Sequence, residues 1–174
     1  YREEVVDITL TVNLNQIEAD RRTKNYQTAD IQFSNNQNEI ENWTIKVRTR
    51  GKFRRRICPI PPLKLKWKKD ELEAAGLVRD FNDIKLVTHC AEKKSEAKEW
   101  LAKEYLSYKL YNGITDESFR VQMVRITYID SETGRKEKNW GFLIEDKNQL
   151  AARMNGKVYK EDQYDISSLN ADAE

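Results

Sequence analysis

Six cations fall within nine residues at Arg48, Arg50, Lys52, Arg54, Arg55 and Arg56, around a single glycine, Gly51. Guanidinium groups clustered at a turn, where backbone amides also point outward, suit an oxyanion, phosphate above all. A run of like charges repels itself unless an anion or nearby acids offset it. This segment therefore asks for a ligand more than an ordinary solvated hairpin would. From Lys46 to Lys69 there are eleven Lys or Arg residues and no acid, in a chain whose formal net charge is only +2. Of 31 basic residues in all, 20 remain for the other 150 positions, against 29 acids. A near-neutral total conceals one strongly basic stretch.

Beyond the turn, Leu63, Leu65 and Trp67 alternate with Lys64, Lys66 and Lys68, which places a row of lysines on one face of a strand. Glu104, inside the long helical pattern that follows, is positioned to reach a strand lysine and orient it for phosphate. The sites of commoner chemistries are missing. There is no GxxxxGKS/T or GxGxxG phosphate loop, no His-Arg-Asp or Asp-Phe-Gly tripeptide, and no HExxH, EF-hand loop or GxSxG. His89 and Cys90 are adjacent on a strand and so point to opposite faces, which disfavours a Cys-His couple. The two cysteines, Cys58 and Cys90, are too few for a thiolate zinc site and are compatible with either one disulfide or two buried thiols. Asn42-Trp43-Thr44 matches a glycosylation sequon but lies in a predicted strand.

The elements that must position these residues read as follows. Val6, Ile8, Leu10, Val12 and Leu14 alternate with polar residues in the clearest strand of the chain. Ala29, Ile31 and Phe33 suggest a second, and Trp43, Ile45 and Val47 a third that runs into Arg50-Gly51. The segment from Arg48 to Arg56 then reads as strand-turn-strand. Pro59, Pro61 and Pro62 make an extended connection into the lysine strand. Ser95 to Asn112 is helical, with Ala97, Trp100, Leu101, Tyr105, Tyr108 and Leu110 as its apolar stripe and Gly113 as its stop. Phe119–Tyr128 and Asn139–Ile144 form a hairpin, in which the apolar phase changes near Met123 and Val124; a bulge or a strand buried on both sides explains that change. A last helix spans Lys147 to Asn155. Strands first, one long helix, then a hairpin predict an α+β fold: a twisted antiparallel sheet with the helix packed on it. The length of 174 residues fits one domain over 1–157, with a polar tail over 158–174. Composition is that of a globular chain, 39% apolar and 34% charged, without a membrane-length apolar run.

Taken together, VRTRGKFRRRICPIPPLKLKW, IKLVTHC, EWLAKEYLSYKLYNGIT, SFRVQMVRITYID and WGFLIED resemble the first half of CotH-type proteins, an atypical, secreted kinase-like family, over residues 45–156. The resemblance implies a kinase-like N-terminal lobe that binds ATP with Mg and sits outside the cytoplasm. It implies that Arg50 is the arginine of the family's Arg-Gly turn, that Lys64 or Lys66 contacts phosphate, and that Glu145 is the acid closing the last hairpin strand. The family's metal-binding and catalytic aspartates, in Asn-Thr-Asp-type and Asp-Phe-Asp-type segments, are absent from this sequence. A C-terminal lobe would have to supply them, so the chain is expected to be inactive in phosphoryl transfer alone. The expected phosphate-binding set is Arg48, Arg50, Arg54, Lys64, Lys66, Glu104 and Glu145. Two other partners fit the same basic stretch: nucleic acid, with Trp43, Phe53 and Trp67 stacking bases, and an acidic protein surface.

Overall fold

Side-chain alternation in the first strand sets the architecture. In β1 (Val6–Val12), Ile8, Leu10 and Val12 are buried while Asp7, Thr9 and Thr11 face outward. The computed structural model describes residue 1, residues 3–90 and residues 94–158, with Lys94 as backbone only. Most of the tail expected over 158–174 lies outside them. After β1 come α1 (Leu14–Ala19), a 3-10 turn (Asp20–Arg22), β2 (Gln27–Ser34), β3 (Ile40–Thr49) and α2 (Arg54–Ile57). They are followed by β4 (Leu63–Lys66), α3 (Lys69–Ala74), β5 (Asp83–Thr88), α4 (Lys94–Ile114), β6 (Val121–Asp130), β7 (Lys136–Ile144) and α5 (Lys147–Arg153).

The seven strands close into one barrel in the order β1-β2-β3-β4-β5-β7-β6. This corrects the expectation of a twisted antiparallel sheet resembling a kinase N-terminal lobe. The sheet has no free edges, and one of its pairings is parallel: β1 runs beside β6 with Val6 opposite Val124 and Val12 opposite Asp130. The reason the pattern misled is physical. A strand with one buried face alternates identically whether its neighbour is parallel or antiparallel, and barrel closure leaves no local mark. The pairing is registered on the outside by Arg125, which donates two 2.6 Å hydrogen bonds to the Asp7 carboxylate directly across the ladder. At such exposure this ion pair contributes little to stability and more to alignment.

Inward-facing aliphatics of the strands fill the barrel, joined by Tyr128, with Leu143 of β7 partly buried against them. A second cluster lies outside it, where Leu101 and Tyr105 of α4 pack on Val87, Val121, Phe142 and Ile144. The change of apolar phase near Met123 is thereby explained: β6 is buried on both faces at its start, and its ladder with β7 runs without a bulge. Gly141 in β7 is needed for this packing, since a Cβ there would stand 2.9 Å from the Val87 carbonyl oxygen of β5. The segment after Arg48 also departs from expectation, because α2 takes the place of a second strand. No helix among the described residues is long and apolar enough to cross a membrane.

Tyr128 is fully buried inside the barrel, and its hydroxyl has no hydrogen-bond partner among the described residues. Burial pushes this phenol far above its ordinary pKa. Tyr128→Phe removes the unmatched hydroxyl and keeps the ring, so it is expected to raise the unfolding free energy by about 1 kcal/mol. The check is the urea midpoint of the variant; a fall of similar size means that the hydroxyl is hydrogen-bonded in solution.

Candidate functional site

The basic stretch forms one face of the barrel wall. Register places Arg48 of β3 opposite Lys64 of β4, and Lys64 opposite Lys85 of β5; one step along, Lys46 stands opposite Lys66, and Lys66 opposite Asp83. Directly opposed like charges destabilise a sheet unless compensated, and the compensation differs across this face. Lys64 is 2.8 Å from Asp83 and Lys85 is 3.3 Å from Asp146. Burial tends to raise the Asp146 carboxyl, but the Asn148 amide and the charges of Lys85 and Lys64 outweigh it and hold the group below the usual carboxylate range. Lys46 donates to the Thr28 hydroxyl at 2.8 Å. Arg48 and Lys66 both lie over the ring of Tyr26, 5.2 and 5.7 Å from its centroid, so one aromatic ring offsets two cations.

Where β3 ends, Arg50 is held by its amide, which donates to the Pro62 carbonyl at 2.9 Å. Its guanidinium is half-buried between Arg48, Arg54, Tyr108 and Glu104. Burial first, then the charge of Arg54, pulls it below its ordinary pKa, with Tyr108 and Glu104 acting in the opposite sense. The group remains charged. No carboxylate among the described residues lies at ion-pair distance from Arg50, Arg48, Lys46 or Lys66. Arg54 is paired with Glu104 at 2.9 Å, so the glutamate on the long helix engages an arginine of α2 and no strand lysine. Tyr108, also on α4, has its phenol raised by burial and then by Glu104.

Arg21, which the sequence did not single out, fixes the loop that carries this cluster. It donates to the carbonyls of Arg55, Cys58 and Pro59 at 3.1, 2.6 and 2.7 Å, serving the C-terminal carbonyls that the short helix α2 leaves unmatched. The same loop is tied to the end of β5 by the Cys58–Cys90 disulfide, which resolves the two states left open by the sequence. Beside Arg54 and Glu104 opens a cleft of about 280 Å³ between α2 and α4, walled by Phe53, Ile57, Trp100 and Leu101. Phe53 is 69% and Trp100 57% exposed, so two aromatic faces border the arginines.

Of the expected set, the structure brings Arg48, Arg50, Arg54, Lys64, Lys66 and Glu104 onto one face. Glu145 lies apart from it. Its carboxylate is 1% exposed and accepts from the Arg153 guanidinium at 3.0 and 3.3 Å and from the Arg120 amide at 3.1 Å. The next residue, Asp146, is the acid that reaches the basic face. Tyr26, Asp83, Lys85 and Tyr108 belong to the site as well. Lys85 alone carried a readable signal, as a polar position between Ile84 and Leu86 in an otherwise apolar strand. No three His, Cys, Asp or Glu side chains converge among the described residues.

Fold and site together define a closed, mixed β-barrel with an arginine-rich outer face. No family model, curated protein or solved structure matches the chain.

Proposed function

We propose that this chain is a phosphate-binding module whose ligand is a nucleotide, held with its phosphates on Arg50 and Arg48 and its planar base in the cleft between Phe53 and Trp100, beside the Arg54–Glu104 pair. Arg50 carries the reading: it is a half-buried cation flanked by two others, with no carboxylate at ion-pair distance among the described residues. An anion there gains charge-assisted hydrogen bonds in partly desolvated surroundings, where they are strongest. The neighbouring aromatic cleft supports a ligand that joins phosphate to a flat ring. Lys64 and Lys85 are already neutralised by Asp83 and Asp146, and on this reading they shape the face without touching phosphate. The resemblance to CotH-type proteins supports the same ligand. The Cys58–Cys90 bond supports an oxidising, extracytoplasmic compartment.

The test is calorimetric titration of ATP, with and without Mg, into the native chain and the Arg50→Gln variant. Losing one charged donor is expected to weaken binding by about 10- to 100-fold, corresponding to roughly 1.5–3 kcal/mol. Absence of heat from the native chain under both conditions refutes the proposal. Affinity for single-stranded DNA that exceeds that for ATP and falls steeply with salt transfers the site to nucleic acid.

A further inference from the structure

The two ends of the barrel are unlike. At one, α1 lies across the opening: Ile17 is buried in the barrel core, and the Thr49 hydroxyl of β3 donates to the Asp20 carbonyl at 3.2 Å. The other end, where β1, β5 and β6 begin and β2, β4 and β7 finish, opens into a cavity of about 400 Å³. Its floor includes Ile8, Ile31 and Leu65, inward-facing residues of three different strands. A concavity that reaches the inside of a barrel suits a small molecule that can enter it. This volume lies within the usual range of small-molecule pockets, and barrel mouths are a preferred location for them.

The lining specifies the ligand's chemistry. Polar side chains form the smaller part of the lining, contributed by Tyr1, Ser34, Asn82, Asp83, Gln122 and Gln149. The Asn82 amide donates to the Trp67 carbonyl at 2.6 Å and the Gln122 amide to the Glu4 carbonyl at 2.7 Å, while Asp83 meets Lys64 through Oδ2 and keeps a buried Oδ1 without a hydrogen-bond partner among the described residues. Most of the remaining lining is hydrocarbon, so a charged ligand would lose hydration over most of its surface, and an anion would also face the Asp83 carboxylate. The rim comes from the segment after α3. Gly76, with φ +71°, turns the chain so that Leu77 and Phe81 border the opening, and the Leu77 amide closes the helix by donating to the Leu72 carbonyl at 2.8 Å. Leu77 is 53% and Val78 67% exposed, so this edge presents apolar side chains where a surface loop ordinarily carries polar ones.

We infer that the open mouth of the barrel is a binding site for an uncharged, apolar small molecule, separate from the arginine face. It does not rest on the nucleotide reading; Asp83, which pairs with Lys64 on the basic face, also borders this cavity, while none of the arginines does.

The experiment uses the full chain and the neutral probe N-phenyl-1-naphthylamine. Fluorescence titration is expected to give a dissociation constant on the order of 10 μM. In the nitrogen–proton NMR spectrum the indole signal of Trp67, which lines the cavity, is expected to move on binding, while that of Trp100, on α4, stays fixed. Both signals are assigned with Trp67→Phe and Trp100→Phe. Leu77→Ser combined with Phe81→Ala is expected to weaken the probe by about tenfold or more, and Arg50→Gln to leave it unchanged. A native chain that does not bind the probe overturns the inference. So does a shift of the Trp100 signal without one of Trp67, because the probe then sits on the exposed side of α4. If the double variant does not fold, the Trp67 and Trp100 signals of the native chain still decide the question.

Discussion

Glu145→Ala is expected to lower the unfolding free energy by about 3–5 kcal/mol, a large share of the stability of a domain this size. The carboxylate is almost fully buried, and the Arg153 side chain it holds is only 18% exposed. Without it the guanidinium keeps its bonds to the carbonyls of Asp116 and Ser118, at 2.6 and 2.8 Å, but its charge is left half-dry and unpaired. The Arg120 amide loses an acceptor as well. Removing one member of a buried pair costs more than removing both, so Glu145→Leu with Arg153→Met is expected to recover part of the loss. Urea denaturation of the two variants checks the result. A Glu145→Ala variant within 1 kcal/mol of the native chain that binds ATP poorly would return Glu145 to the ligand, as the family resemblance implies.

Reduction of Cys58–Cys90 is expected to have the next largest effect. The bond closes a loop across a sequence separation of 32. In the chain-entropy account such a closure stabilises the folded state by about 3–4 kcal/mol, through the freedom it removes from the unfolded chain. The effect on the site is sharper than the number suggests. Cys58 follows α2 directly, so the bond holds the loop bearing Arg54 against the end of β5. Comparing urea midpoints and ATP affinity with and without dithiothreitol is the measurement. Both quantities are expected to fall on reduction, and an unchanged midpoint would exclude the bond.

How far the chain could be read follows from which forces are local. The alternation of Val6 to Val12 gave β1 and its buried face correctly, because period-two burial is written in consecutive residues. Of the six residues read as the apolar stripe of α4, Ala97, Leu101, Tyr105 and in part Tyr108 pack inward, whereas Trp100 and Leu110 are exposed, since helical spacing does not say how wide the covered face is. Closure of the barrel was invisible, since it depends on β1 meeting β6 far along the chain, and neither strand's pattern names its neighbour. The basic face was legible as composition: a run without acids had to gather somewhere. What the run could not show is which cations are neutralised. Asp83 and Asp146 lie outside it, and they separate the compensated lysines from Arg50. Glu145 and Asp146 are consecutive acids that sequence could not tell apart. The fold turns one toward Arg153 and the other toward Lys85.

The parallel contact between β1 and β6 also dictates an order of events during synthesis. Arg125 and Asp7, which lock that contact, are 118 residues apart, so the first strand leaves the ribosome long before its second neighbour exists. Until then β1 can zip only to β2, and a meander of β1 to β5 has two raw borders and an unsealed interior. Ring formation must wait for the final hairpin, when β6 and β7 dock together and join both borders at once. A topology this rich in distant contacts folds slowly, and its half-made state is a sticky one. The chain is at its most vulnerable to misassociation just before its last two strands arrive.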